Sequence, residues 1–208
     1  MSHKHYTLRR TYGEKRYKKL YVIATEGAVT EPQYFECLYS ANINIQKSIT
    51  SIKYLKSNSK SSPTQTLDKM TAYLKEEKLR SGDEAWIVVD KDQWTDDQLT
   101  ALHAWAKKDN RFGFALSNPK FEYWLLLHFD DGANISSSSD CSDRLRKHLP
   151  GYNKKIDCRK FTRNNILAAI DRAKRRDNPP CNDWPRTPGG TTVYKLVENI
   201  LAAETQLI

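Results

Sequence analysis

Glu84-Ala85-Trp86-Ile87-Val88-Val89-Asp90-Lys91-Asp92 (residues 84–92) is the stretch that decides the fold. Trp86 through Val89 leaves no polar alternate position, so a strand here is covered on both faces, as a central strand of a parallel sheet is. The run then stops on Asp90 and Asp92. A second stretch, Leu20-Tyr21-Val22-Ile23-Ala24-Thr25-Glu26-Gly27 (residues 20–27), repeats the design, an apolar strand ending at a carboxylate. Carboxylates drawn together at a sheet edge repel by about 4 kcal/mol per close pair at an effective dielectric of about 20. A divalent cation is the usual means of offsetting that, which points to metal-assisted phosphoryl chemistry.

Working outward, Thr30 and Gln33 have the spacing of a capping box and open a helix, with Pro32 tolerated in its first turn. Residues 42–55 alternate loosely (Ile43, Ile45, Ile49, Ile52, Leu55) and predict a second strand. Ser57–Thr64 reads as a polar loop. Leu67, Met70, Ala72, Tyr73, Leu74 and Leu79 keep helical spacing up to a stop at Gly82. Thr95 and Gln98 repeat the capping-box spacing and open a helix through Lys108. Phe112–Ser117 reads as a strand, and Asn118-Pro119 starts a helix over Lys120–Phe129 with proline at its first position. This order predicts an α/β protein, with about four parallel strands covered by helices on both faces.

Beyond Phe129 the pattern changes. Asp130–Asp143 is Ser-rich and expected to be mobile. Helical spacing returns over residues 164–176 and 192–203, as a C-terminal helical extension. The Pro-, Gly- and Trp-rich Asp177–Gly190 between them is long enough to suggest a functional connection. The expected organisation is a basic arm (1–19), a core (20–129) and a helical and loop extension packed on it (130–208).

Apolar residues make up 38% of the 208, but five Trp and eleven Tyr are too much ring surface to leave in water, so a real core is expected. The net charge of +9 is uneven: residues 1–19 carry +6 and residues 154–176 carry +7, leaving the remainder slightly acidic. Basic arms around an acidic centre suit a polyanion held near bound cations, although each basic stretch alone is more simply a solvated helix face. Cys37, Cys141, Cys158 and Cys181 form no C-x-x-C pair, and His3 and His5 are too isolated to complete a zinc site. No signal peptide or membrane-spanning run is readable, so the chain is expected in the cytoplasm with free thiols.

Aspartate near a helix start is usually a cap. Thr30 and Thr95 already fill that role, which leaves Glu26, Asp90 and Asp92 available. In a parallel sheet all strand C-termini open on one edge, where ligands bind. Glu31 and Glu122, each in the first turn of a helix after a strand, face the same rim. Other site chemistries lack their motifs: there is no dinucleotide fingerprint, P-loop or nucleophile elbow. His128 reads as a hydrogen-bonded structural histidine, and Phe121, Trp124, Leu125 and Phe129 read as core.

The ordered set T-E-G-A-V-T-E-P-Q-Y-F (25–35), V-V-D-K-D (88–92), S-N-P-K-F-E-Y-W-L-L-L-H-F (117–129), G-Y-N-K-K (151–155) and T-x-V-Y-K-L-V (191–197) resembles the RloB-like family. That family is bacterial, lies near restriction-modification and abortive-infection genes and typically neighbours an ATPase gene. Its core is similar to the Toprim (Rossmann-like) domain of topoisomerases, primases and OLD-type nucleases. The resemblance implies a Toprim-like core in which Glu26 takes the glutamate role and Asp90 and Asp92 the D-x-D role. By likeness to OLD-type nucleases, Glu31 and Glu122 complete a metal-binding set.

The reaction this implies is Mg²⁺- or Mn²⁺-dependent phosphodiester hydrolysis of DNA or RNA in anti-phage defence, working with an ATPase encoded nearby. Glu26, Asp90, Asp92 and Glu122 are the catalytic candidates, and Glu26, Glu31, Asp90, Asp92 and Glu122 the metal ligands. Lys120, Lys154, Lys155, Arg159, Lys160 and Arg163 would position phosphates without reading sequence. No membrane partner is expected, and a homo-oligomer is left open. The alternative is a non-catalytic sensor or scaffold that binds nucleic acid or the ATPase. A small-molecule phosphotransferase is a third reading, favoured if the basic arms prove unrelated to the acidic rim.

Overall fold

A computed structural model describes residues 18–55, 61–92 and 94–205. The expected basic arm (1–19) lies outside the described residues except for Lys18 and Lys19, as do residues 57–60 of the expected loop. Five strands form one sheet in the order β2-β1-β3-β4-β5. They are β1 (Lys19–Thr25), β2 (Thr50–Leu55), β3 (Glu84–Asp90), β4 (Phe112–Asn118) and β5 (Gly190–Thr191). The first four are mutually parallel, and β5 runs antiparallel to β4. The expected count of about four is thus corrected to five. The fifth strand is a two-residue element at the end of the Pro-rich connection, too short to leave a periodic signal. Its neighbour Thr192 accepts the Leu116 amide on its hydroxyl at 2.9 Å.

Alternation along the central strands explains the two layers. Tyr21 and Ile23 of β1 and Trp86 and Val88 of β3 face one apolar core, built with α1 (Thr30–Cys37), α4 (Phe121–Leu126), α5 (Ser138–His148), α6 (Arg163–Arg176) and α7 (Val193–Thr205). Val22, Ala24, Ile87 and Val89 face the other, with α2 (Pro63–Glu76) and α3 (Asp96–Ala106). Trp86 lies opposite Gly113 of β4, where a Cβ would fall 2.3 Å from the indole, so only glycine leaves room for the ring. Trp184, in the Asp177–Gly190 connection, is buried against Phe114 and His103.

Several local expectations are corrected by tertiary contacts. Thr95 and Gln98 do form a capping box on α3, but Thr30 and Gln33 do not form one on α1. Thr30 donates its hydroxyl to the Lys154 carbonyl, and the Gln33 side chain accepts the Ile156 amide. Helix α2 instead starts inside the expected loop, at Pro63, on a Ser62–Gln65 capping box. The second strand is confined to Thr50–Leu55, because Ile43 and Ile45 are buried from a run of turns and not from a strand.

The Asn118–Pro119 bond is cis, and α4 starts at Phe121 with Lys120 before it, so Pro119 is not the first residue of the helix. The Ser-rich segment expected to be mobile holds the start of α5, capped by Ser137, while Arg144 ties its Asp130 and Asp131 together. Cys37 and Cys158 form a disulfide, which overturns the expectation of four free thiols, while Cys141 and Cys181 are free. Among the described residues no helix is long and apolar enough to cross a membrane.

Candidate functional site

The C-terminal ends of β1, β3 and β4 bring the acids to one edge. Glu26 follows β1 directly, its amide donating to the Val88 carbonyl of β3 at 3.1 Å. The Glu26 carboxylate accepts the Asp90 amide at 3.3 Å and the Trp94 indole N–H at 3.1 Å. Glu31, in the first turn of α1, is only 6% exposed and accepts the Gly27 amide at 2.9 Å. Glu122, in the first turn of α4, accepts the Tyr152 hydroxyl at 3.2 Å. Asp90 closes β3; among the described residues its buried Oδ1 has no hydrogen-bond partner.

Electrostatics follows from that crowding. Burial pushes the Glu26 carboxyl up to about 7, with the Glu31 and Asp92 charges adding to it and the Trp94 and Asp90 N–H groups opposing. Burial also raises Glu31, which the Glu122 charge raises further and the Gly27 amide and Lys154 charge lower. Asp90 is held well above the usual carboxylate range, by burial first and then by Glu31, Glu26 and Glu122. Glu26, Glu31, Asp90 and Glu122 therefore share one field. Among the described residues, however, no three His, Cys, Asp or Glu side chains lie close enough together to enclose an ion as they stand. Asp92 is exposed, with a left-handed φ of 30° and its amide donating to the Pro119 carbonyl at 3.0 Å, so it bears on the group only from the solvent side, through its charge on Glu26.

The basic candidates are scattered by comparison. Lys120 reaches away to the Ser142 hydroxyl of α5 at 2.5 Å. Arg159 is held on Asp157 through two bonds of 2.9 Å, and Arg163 donates to the Ile43 carbonyl at 3.3 Å. Lys154, Lys155 and Lys160 are exposed, and Lys154 is the one whose charge bears on Glu31. His128 is buried, 3.0 Å from the Tyr34 hydroxyl through Nε2 and 3.0 Å from the Trp124 carbonyl through Nδ1, consistent with its structural reading.

Sequence reasoning missed Gly27, Trp94 and Tyr152 as parts of this site. Gly27 had a signal, its place beside a strand-end glutamate where backbone approaches closely. Tyr152 had one too, its place in the G-Y-N-K-K stretch, whereas Trp94 had none, since an aromatic residue in a loop is usually read as packing.

The fold and this edge define a class: a mostly parallel α/β protein whose sheet edge gathers one buried and three half-buried carboxylates that perturb one another. A protein-family profile described as RloB-like protein matches residues 21–200, and the chain belongs to that family. No curated protein and no solved structure matches it.

Proposed function

We propose that this RloB-like protein is a divalent-metal-dependent nuclease with a Toprim-like core, cleaving DNA or RNA in anti-phage defence alongside a partner ATPase. The observation that carries the reading is Asp90, whose buried Oδ1 has no hydrogen-bond partner among the described residues while three other carboxylates raise its proton affinity. A buried acid in that state is stabilised by a cation, and an all-oxygen donor set fits Mg²⁺ or Mn²⁺ better than zinc.

Glu26, Glu31, Asp90 and Glu122 would hold the ion, with Asp92 approaching from the exposed rim. A bound divalent cation supplies charge neutralisation at a phosphoryl group and lowers the pKa of water. Glu26 would hold the ion or take the proton of the attacking water. Lys154 and Lys155 would keep a phosphate backbone beside the acids, in a chain whose net charge of +9 already favours polyanions. Lys120 can join them on release from Ser142.

The test is cleavage of plasmid and total cellular RNA with and without Mn²⁺ and the neighbouring ATPase, repeated with Glu26→Gln and Asp90→Asn chains of verified fold. Metal-dependent cleavage lost in both variants supports the reading; variants as active as wild type remove it. One observation favours the second reading, a non-catalytic module that binds nucleic acid or the ATPase. Asp92, the second acid of the D-x-D, is exposed, whereas Glu26, Glu31, Asp90 and Glu122 are half-buried or buried. That reading predicts phage protection retained in both variants.

A further inference from the structure

The segment from Gly151 to Cys158 is a strap laid along α1 and reaching the acidic edge. Three contacts fix it to one face of the helix, at Thr30, Gln33 and Cys37. Thr30 donates to the Lys154 carbonyl at 2.9 Å, Gln33 accepts the Ile156 amide at 2.9 Å, and Cys37 is bonded to Cys158. Thr30, Gln33 and Cys37 follow one another along the helix in the order in which Lys154, Ile156 and Cys158 follow along the strap, so the two run in the same direction. At its other end, Tyr152 donates to Glu122 and the Lys154 charge lowers the Glu31 proton affinity. The two hydrogen bonds are each worth only about 1 kcal/mol net, so the covalent bond is the strongest of the three attachments.

We propose that the Cys37–Cys158 bond is a thiol-controlled latch that holds the strap, with Tyr152 and Lys154, over the acidic site. It rests on the reading of that edge as the functional site. Cys158 is partly exposed, whereas Cys37 is buried, so an incoming thiolate meets Cys158 first. A thiolate of a dithiol reductant attacks Cys158 Sγ, and Cys37 leaves as a thiolate and takes up a proton. The second thiol of the reductant then displaces Cys158 as its thiolate, which is protonated in turn. Two electrons pass to the protein disulfide and the reductant leaves as its own disulfide.

The experiment compares oxidised chain, chain reduced with dithiothreitol, and a Cys158→Ser variant, with thiol content verified by alkylation. Trypsin cleavage after Lys154 and Lys155, and hydrogen exchange at Ile156 and Gly27, are followed in each. Local release of the strap should speed cleavage and exchange by about tenfold in the reduced and variant chains, with far-UV dichroism unchanged and reductant adding nothing to the variant. Equal rates in the oxidised and reduced chains overturn the latch. So does global loss of structure on reduction, which would make the bond a structural staple. A parallel titration with Mn²⁺ alone separates the two ideas: no uptake in any state, with the exchange difference intact, removes the metal reading and leaves the latch standing.

Discussion

The Glu31 carboxylate lies directly over Gly27, accepting its amide at 2.9 Å, and a Cβ on residue 27 would fall 2.2 Å from Oε2. The two residues are four apart in sequence, yet the strand-to-helix turn between them folds one onto the other. Gly27→Ala is therefore expected to turn Glu31 away and break that bond. The cost should be about 1–2 kcal/mol, read by denaturant unfolding, with Mn²⁺ affinity falling as well. An alanine variant of wild-type stability would show that Glu31 has another low-energy position.

Asp90→Asn removes a charge that burial and three neighbouring carboxylates disfavour. Among the described residues Asp90 Oδ1 accepts no hydrogen bond that the amide would lose. The metal-free variant should be more stable than wild type by about 1–2 kcal/mol, measured by thermal unfolding in chelator. Its cleavage activity should fall by about 100-fold or more. A variant that loses both stability and activity would place Asp90 in the framework and not at a cation.

pH gives an independent measurement on the same acids. The Glu26 carboxyl is raised from 4.5 to about 7 in the folded chain. Below the lower value both states hold the proton. Between the two values the unfolded chain has released it and the folded chain has not, so stability falls as pH rises through the window. Glu31 and Asp90 shift the same way. Salt-bridged Asp130 and Asp183, whose carboxyls are lowered, act in the opposite sense at more acid pH. The melting temperature of metal-free protein should drop from about pH 5 to about pH 8, and drop less in Glu26→Gln. Parallel curves for the two proteins would contradict the assigned shift.

Away from the site, Gly113→Ala in β4 would drive a methyl into the Trp86 indole, 2.3 Å from the ideal Cβ. The indole is buried and bonded through its N–H to Glu84 at 2.8 Å, so it cannot move without loss. A destabilisation of about 2–3 kcal/mol is expected. It should shrink in a Trp86→Leu background, as a double-mutant cycle on unfolding would show. Additive effects would mean that the two side chains do not compete for space.

Much of the scaffold was legible because its signals are local. The apolar runs at Tyr21–Thr25 and Ala85–Val89 name buried strands by themselves, and Thr95 with Gln98 names a helix start. The strand-end rule then carried Glu26 and Asp90 to one edge from topology alone. Misreadings fell where a local signal was answered by a distant group. Thr30 and Gln33 have capping-box spacing, but Lys154 and Ile156, 124 and 123 residues away, bond them instead. Asp130–Asp143, Ser-rich and expected to be mobile, holds Ser137, the cap that begins α5.

The order of the elements from β1 to α4, the two-sided burial of the sheet and the placing of carboxylates at strand ends were determined by the sequence itself, since periodicity and capping act over a few residues. Tertiary structure alone decided that Glu31 is the most deeply buried of these acids, that Asp92 is exposed, that α5 and β5 form, and that Cys37 meets Cys158 across 121 residues. Those outcomes depend on how whole layers settle against each other. No window of local sequence contains the partner that burial supplies.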